Sequence, residues 1–168
     1  MKAIVIYRSK TGFTKRYAEW IGVALGCEIA EAGAVKDLTG YDTLIYGAYC
    51  HAGMIAGLKK FLKTAEPLKK NIVVFATGAS PAENPDIEPS MKRNFTQEQQ
   101  ERIKAFYLPG GLNYEQMGAV DKALMAAFRA MTKKQMGENS EMYQMLCKSY
   151  DLSDEKHIVP LVEHCREL

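Results

Sequence analysis

The sequence predicts a doubly wound α/β fold: five parallel strands in the order 2-1-3-4-5, helices on both faces, and a helical extension after the fifth strand. Short uninterrupted apolar runs alternate with segments whose apolar residues recur at helical spacing. That alternation implies right-handed βαβ crossovers and a parallel sheet covered on both sides. The 168 residues, 47% of them hydrophobic, suffice for one core, and no repeat or linker divides a single predicted domain over 1–168. Five strands in that length suit the 2-1-3-4-5 order.

Ala3-Ile4-Val5-Ile6-Tyr7 is continuous in apolar character, as a strand buried on both faces should be. From Thr14 a helix follows, with Phe13, Tyr17, Trp20, Ile21, Ala24 and Leu25 spaced as one stripe and Gly26 as its end. Cys27 to Ala30 makes a short second strand and Thr43 to Gly47 a third. Ile55, Leu58, Phe61 and Leu62 give the next helix its apolar face, and Pro67 stands beyond it as a stop. Ile72 to Ala76 is the fourth strand. A polar loop with Pro81, Pro85 and Pro89 leads to a short charged helix at Gln97 to Ile103, and Ala105 to Leu108 is the fifth strand.

Beyond it the pattern changes. Gly118 to Gly137 reads as a long helix, Glu141 to Lys148 as another, and a last helix starts or kinks at Pro160. Six of the nine Met fall between Met117 and Met145. At this spacing they are expected in the core, the alternative being a surface for a quinone, a membrane edge or a protein partner. Lys122, Arg129, Lys133 and Lys134 fit a solvated face.

Twenty-two Lys+Arg against 20 Asp+Glu give a formal charge of +2, which makes no case for nucleic acid. No apolar run is long enough to span a bilayer, and Met1 to Tyr7 lacks a cleavage site, so the expected location is cytoplasmic. Cys27, Cys50, Cys147 and Cys165 form no CxxC pair, and His51, His157 and His164 are scattered. The expectation is free thiols and no metal site.

The segment richest in chemistry is Ser9-Lys10-Thr11-Gly12-Phe13-Thr14, between the first strand and the first helix. An anion placed there meets free backbone N–H groups and the positive end of the helix dipole. Hydroxyls of Ser9, Thr11 and Thr14 add donors, and Gly12 permits close approach or a positive φ. The loop is neither GxGxxG nor the GK[ST] ending of a nucleoside-triphosphate loop.

Tyr7 to Thr14 resembles the FMN-phosphate loop of the flavodoxin family, S/T-x-T-G-x-T. Asp37 to Gly47 resembles that family's run into its third strand, and Ala48 to Gly53 stands where flavodoxins wrap the isoalloxazine ring. The resemblance implies a flavodoxin-like fold and noncovalent FMN. Its phosphate would be held by Ser9, Lys10, Thr11, Gly12, Phe13 and Thr14. One side of its ring would meet the loop Ala48, Tyr49, Cys50, His51, Ala52 and Gly53, with Tyr49 stacking. Thr77, Gly78 and Ala79 would line the other side, and Tyr114 would reach the pocket. Cys50 is expected to serve as a small hydrophobe.

A narrower resemblance is to the menaquinone-dependent protoporphyrinogen oxidase branch. It rests on Ala105 to Tyr114, the helix through Asp121, Met125 and Phe128, and the run from Asp151 to Asp154 toward Ile158, Pro160 and Leu161. That branch crowds the turn after its fifth strand with Arg and Tyr, whereas Asn113 to Met117 carries no Arg here. Phe13 also stands where flavodoxin loops usually carry Asn.

The implied function is an FMN-dependent oxidoreductase that passes electrons or a hydride to or from a quinone or porphyrinogen-type substrate. The alternatives are an electron carrier serving a protein redox partner, a role whose members are typically acidic, and a flavin-free binding module. A small-molecule or protein redox partner is expected, with peripheral membrane contact open. No catalytic acid or base is assigned.

Overall fold

The computed structural model describes residues 2–168; Met1, the first residue of the predicted domain, lies outside them. Strand β1 (Ala3–Arg8) leads into α1 (Phe13–Leu25) and β2 (Glu28–Glu31). Then come β3 (Thr43–His51), β4 (Met54–Ile55), α2 (Leu58–Ala65) and β5 (Asn71–Gly78), followed by α3 (Ile87–Lys92), α4 (Gln97–Arg102) and β6 (Lys104–Pro109). The remainder holds β7 (Gly111–Leu112), α5 (Ala119–Met136), α6 (Glu141–Leu146), β8 (Tyr150–Asp151) and α7 (Val159–Glu167).

The sheet order is β2-β1-β3-β5-β6, every neighbour parallel. With the two-residue β4 set aside, this is the predicted 2-1-3-4-5. Alternate strand residues point to opposite faces, so the sheet carries two cores. Ile4, Ile6, Leu44, Tyr46 and Val74 pack beneath Leu58, Phe61 and Leu62 of α2. Val5, Ile45, Val73 and Phe75 pack against Tyr17 and Ile21 of α1 and Leu161 and Val162 of α7. Helix α1 ends as Gly26 predicts: Gly26 has φ 61°, and the Cys27 N–H reaches the Gly22 carbonyl at 3.0 Å. Pro160 sits in the first turn of α7.

Four expectations are corrected. Ala48, Tyr49, Cys50 and His51 are not a loop but the outer half of β3, which turns back on itself through Ala52 (φ 47°) and Gly53 (φ 78°) to pair with β4. A two-residue turn with both φ positive matches the twist of an antiparallel hairpin. Ile55 belongs to β4, so α2 starts only at Leu58. Helix α3, centred on Pro89, stands inside what reads as a proline-rich loop.

The fourth concerns the methionines. None between Met117 and Met145 is buried, and Met131, Met136 and Met142 are exposed. Helix α5 packs beside α6 and not on the sheet, and Thr132 is its only buried residue. Among the described residues no helix is long and apolar enough to cross a membrane.

Candidate functional site at the carboxyl edge of the sheet

Strands β1, β3, β5 and β6 deliver their carboxyl ends to one edge, where ligands of doubly wound sheets bind. At the end of β1 the chain turns through Ser9 to Gly12 into α1. Gly12 takes φ 96°, and no side chain caps the helix. The first helical hydrogen bond runs from the Arg16 N–H to the Gly12 carbonyl at 3.0 Å. The N–H groups of Phe13, Thr14 and Lys15 therefore lie in the turn that an α-helix leaves without internal partners. A Cβ built on Gly12 would meet nothing within 4 Å, so this corner is open. Ser9 Oγ is buried without a hydrogen-bond partner. Thr43 Oγ1 shares that condition, but it lies at the amino end of β3, away from this edge.

The other loop residues have definite duties. The hydroxyls of Thr14 and Thr77 are both buried and 2.7 Å apart, joining α1 to β5. Phe13 is buried against the start of the extension; a Cβ on Gly110 would come within 3.1 Å of its own Cβ. Lys10 Nζ lies 2.9 Å from Asp121 of α5 and 5.4 Å from the centroid of the Tyr49 ring. The Asp121 hydrogen bond holds the Lys10 ammonium above its usual pKa.

A cleft of about 300 Å³ opens between the β3–β4 hairpin, the end of β5 and α3. Of the predicted residues it gathers Cys50, Ala52, Gly53, Gly78 and Ala79. Burial pushes the Cys50 thiol up to about 11, so it offers little thiolate at neutral pH. Tyr107 of β6 also lines the cleft. Its hydroxyl donates to the Ser80 carbonyl at 2.8 Å and accepts from the Ser80 N–H at 3.1 Å, fixing the strand-end loop. Burial, with the neighbouring Cys50 adding to it, raises the Tyr107 pKa and keeps the phenol neutral. The Ala79 carbonyl accepts from the Tyr150 hydroxyl at 2.8 Å, so β8 braces the same loop.

The remaining candidates scatter. Ala48 is fully buried in the core, His51 is exposed at the strand end, and Tyr49 is half-buried in register with Thr77. Tyr114 lines a separate cleft of about 400 Å³ with Glu115, Lys122 and Arg129. The Arg129 guanidinium stands 5.3 Å from the Tyr114 ring centroid. Helix α5 thus supplies the cations that the turn from Asn113 to Met117 lacks.

Asn94 is a residue that sequence reasoning missed. Its buried amide accepts from the Ile55 N–H at 2.8 Å and donates to the Gly53 and Ser90 carbonyls, each at 2.9 Å. It pins the hairpin turn to α3. An Asn after a short helix carries no such signal in sequence, because its partners are tertiary.

A sequence model of the flavodoxin domain matches residues 4–138. No curated protein matches the sequence significantly. Among solved structures, a flavoprotein of Lactobacillus acidophilus in complex with FMN superposes with a TM-score of 0.50 at 18% identity, over 64% of this chain and 91% of that one. A WrbA-like flavodoxin from Agrobacterium tumefaciens gives 0.50 at 17% identity, over 80% and 98%. At these identities the likeness concerns the fold.

Proposed function

Because the chain belongs to the flavodoxin-domain family, we propose that its carboxyl edge holds FMN and that the protein is a small redox flavoprotein. The observation that carries this reading is the orphaned Ser9 hydroxyl, buried in the same loop as the uncapped first turn of α1. A buried hydroxyl without a partner costs about 1–3 kcal/mol, and a phosphate accepting from it and from neighbouring N–H groups would remove that cost. The corner fits a phosphate monoester in donor chemistry and in openness.

In this reading the hydroxyls of Ser9 and Thr11 and the N–H groups of the α1 first turn bind the phosphate. Lys10 contributes its backbone N–H, its ammonium being paired with Asp121. Gly12 keeps the approach clear, while Phe13 and Thr14 hold the turn in place through Gly110 and Thr77. Tyr49, with Ala48 beneath it and His51 beyond it on β3, flanks the ring. Cys50, Ala52, Gly53, Thr77, Gly78 and Ala79 shape its cleft, and the Asn94 and Tyr107 hydrogen bonds keep that cleft rigid. When bound, FMN supplies transfer of a hydride or of single electrons. The protein binds, orients and shields it.

The finer reading is an oxidoreductase acting on a quinone or porphyrinogen-type substrate. The observation favouring an anionic planar substrate is the Tyr114 cleft, where Lys122 and Arg129 flank an aromatic ring. Tyr114 would then contact the substrate and not the flavin.

The test is FMN titration of the purified chain and two variants. Ser9→Ala should stabilise the flavin-free protein by about 1 kcal/mol while weakening FMN binding, since it removes an orphan that only the ligand satisfies. Thr11→Asp should abolish binding through charge repulsion and leave the fold intact. Unchanged FMN affinity in Thr11→Asp would overturn the placement of the phosphate.

A further inference from the structure

Helix α5 has a face that neither the fold nor the flavin site uses. Val120, Leu124, Phe128 and Met131 are 73, 49, 41 and 49% exposed. At about 100° per residue they fall on one side of the helix, with Ala123, Ala127 and Ala130 along one flank. The helix is 18 residues long, about 27 Å at 1.5 Å per residue. Natural surfaces rarely leave so large an apolar strip uncovered.

The charges indicate what covers it. Helix α5 carries Lys122, Arg129, Lys133 and Lys134 against one carboxylate, Asp121, which Lys10 already engages at 2.9 Å. Lys133 pairs with Glu138 at 2.7 Å. Among the described residues Lys122, Arg129 and Lys134 have no carboxylate within ion-pair distance. At about 100° per residue Lys122, Arg129 and Lys133 lie on the side of the helix away from the strip, the basic polar face of an interfacial amphipathic helix. Four exposed apolar side chains are also far fewer than the roughly 20–30 residues a side of a stable interface. An anionic lipid surface meets both features: it attracts the cations and accepts an apolar strip of a single helix in its headgroup region.

We propose that α5 is an interfacial membrane helix that docks the protein on anionic bilayers, with Val120, Leu124, Phe128 and Met131 inserted and Lys134 reaching up to the headgroups. Because Asp121 of the same helix contacts Lys10, docking sets the flavodoxin-domain carboxyl edge beside the lipid surface.

The test is flotation of the full chain, saturated with FMN, with phosphatidylcholine vesicles prepared with and without an equal part of phosphatidylglycerol. The chain should float with the anionic vesicles at low salt and not with the neutral ones. Leu124→Asp with Phe128→Asp should weaken that binding at least about tenfold by removing inserted apolar area. Both positions are exposed, so far-UV circular dichroism and FMN affinity should not change. Lys134→Gln should weaken it about fivefold at low salt and reduce its salt dependence, at about 1 kcal/mol for one cation at the surface. Absence of flotation with anionic vesicles would overturn the proposal, as would equal binding by the aspartate variant. A dimer in sedimentation equilibrium that the aspartate variant dissociates would also overturn it and make the face an interface between copies.

Discussion

Helices α1 and α5 read alike in sequence, each with apolar residues at helical spacing and basic residues between them. In the fold they are opposites. Helix α1 buries Phe13, Thr14, Tyr17, Ala18, Ile21 and Gly22, and α5 buries only Thr132. The difference lies in where the chain sets each helix. Helix α1 connects two strands of one sheet, so the crossover presses its stripe onto Val5, Ile45 and Val73. Helix α5 begins after the last strand of that sheet, and the place beside α1 on the sheet face is taken by α7, the last helix. The ties between the extension and the core are mostly polar: Lys10 to Asp121, Arg16 to Asp151, and Asn113 to the Thr11 carbonyl.

Apolar periodicity therefore reports a helix but not the surface it packs on. The largest test of the contrast pairs one residue from each region. Phe75, fully buried beneath α1, should cost about 3–5 kcal/mol as Phe75→Ala. Gly47 deepens that dependence, because a Cβ there would overlap the Phe75 ring, so ring and glycine are fitted to each other. Met131→Ala on α5 should stay within about 0.5 kcal/mol. Urea denaturation of both variants checks it, and a Met131→Ala cost above about 2 kcal/mol would place α5 in the core after all.

The same contrast explains which parts were legible in the sequence. The three central strands, β1, β3 and β5, are readable because burial on both faces demands unbroken apolar runs, and Ile4, Val5, Leu44, Ile45, Val73 and Val74 supply them, whereas the largely exposed edge strand β2 is legible only from its place in the alternation. The far ends of β3 and β5 are not readable in that way. Tyr49 to His51 and Thr77 to Gly78 continue the strands through backbone pairing while their side chains turn polar or small. That is the stretch where the site forms. Its phosphate corner is local in sequence and stands out; the Thr14–Thr77 pair, the Asn94 clamp and the Tyr150–Ala79 brace join residues 63, 41 and 71 positions apart and leave no mark on a single sequence.

A second test uses the cysteines, which sample both regions. Cys147 is exposed at the end of α6, and Cys165 is buried on the inner face of α7. Burial pushes the thiols of Cys50 and Cys165 up to about 11. Such a thiol carries about a hundredth of the thiolate of an ordinary one at about pH 8, before steric shielding is counted. Labelling with a disulfide reagent should show one fast phase that Cys147→Ser removes, with Cys50 and Cys165 at least about a hundredfold slower. A fast phase surviving in a variant that lacks both Cys147 and the half-buried Cys27 would mean that the core opens more readily than its packing implies.

The smallest effect concerns the seam between the regions. Burial works against the charged form of Asp151, but hydrogen bonds from Ser153 and Arg16 outweigh it and hold the carboxyl below its usual range. Arg16 lies 2.5 Å from this carboxylate across a largely exposed contact. A carboxyl lowered in the folded state stabilises the fold fully above its unfolded pKa, near 4, and loses that contribution as pH falls through the lower folded value. With both side chains nearly half exposed, solvent screening keeps the contribution below about 1 kcal/mol. Asp151→Asn should therefore be slightly less stable than the parent at about pH 7, and the gap should close below about pH 3. Urea melts of both proteins across that range check it. A gap that persists in acid would mean that Asp151 acts through the shape of the β7–β8 pairing and not through its charge. The extension would then be held by packing, as α1 is, and the contrast between the two helices would be one of degree.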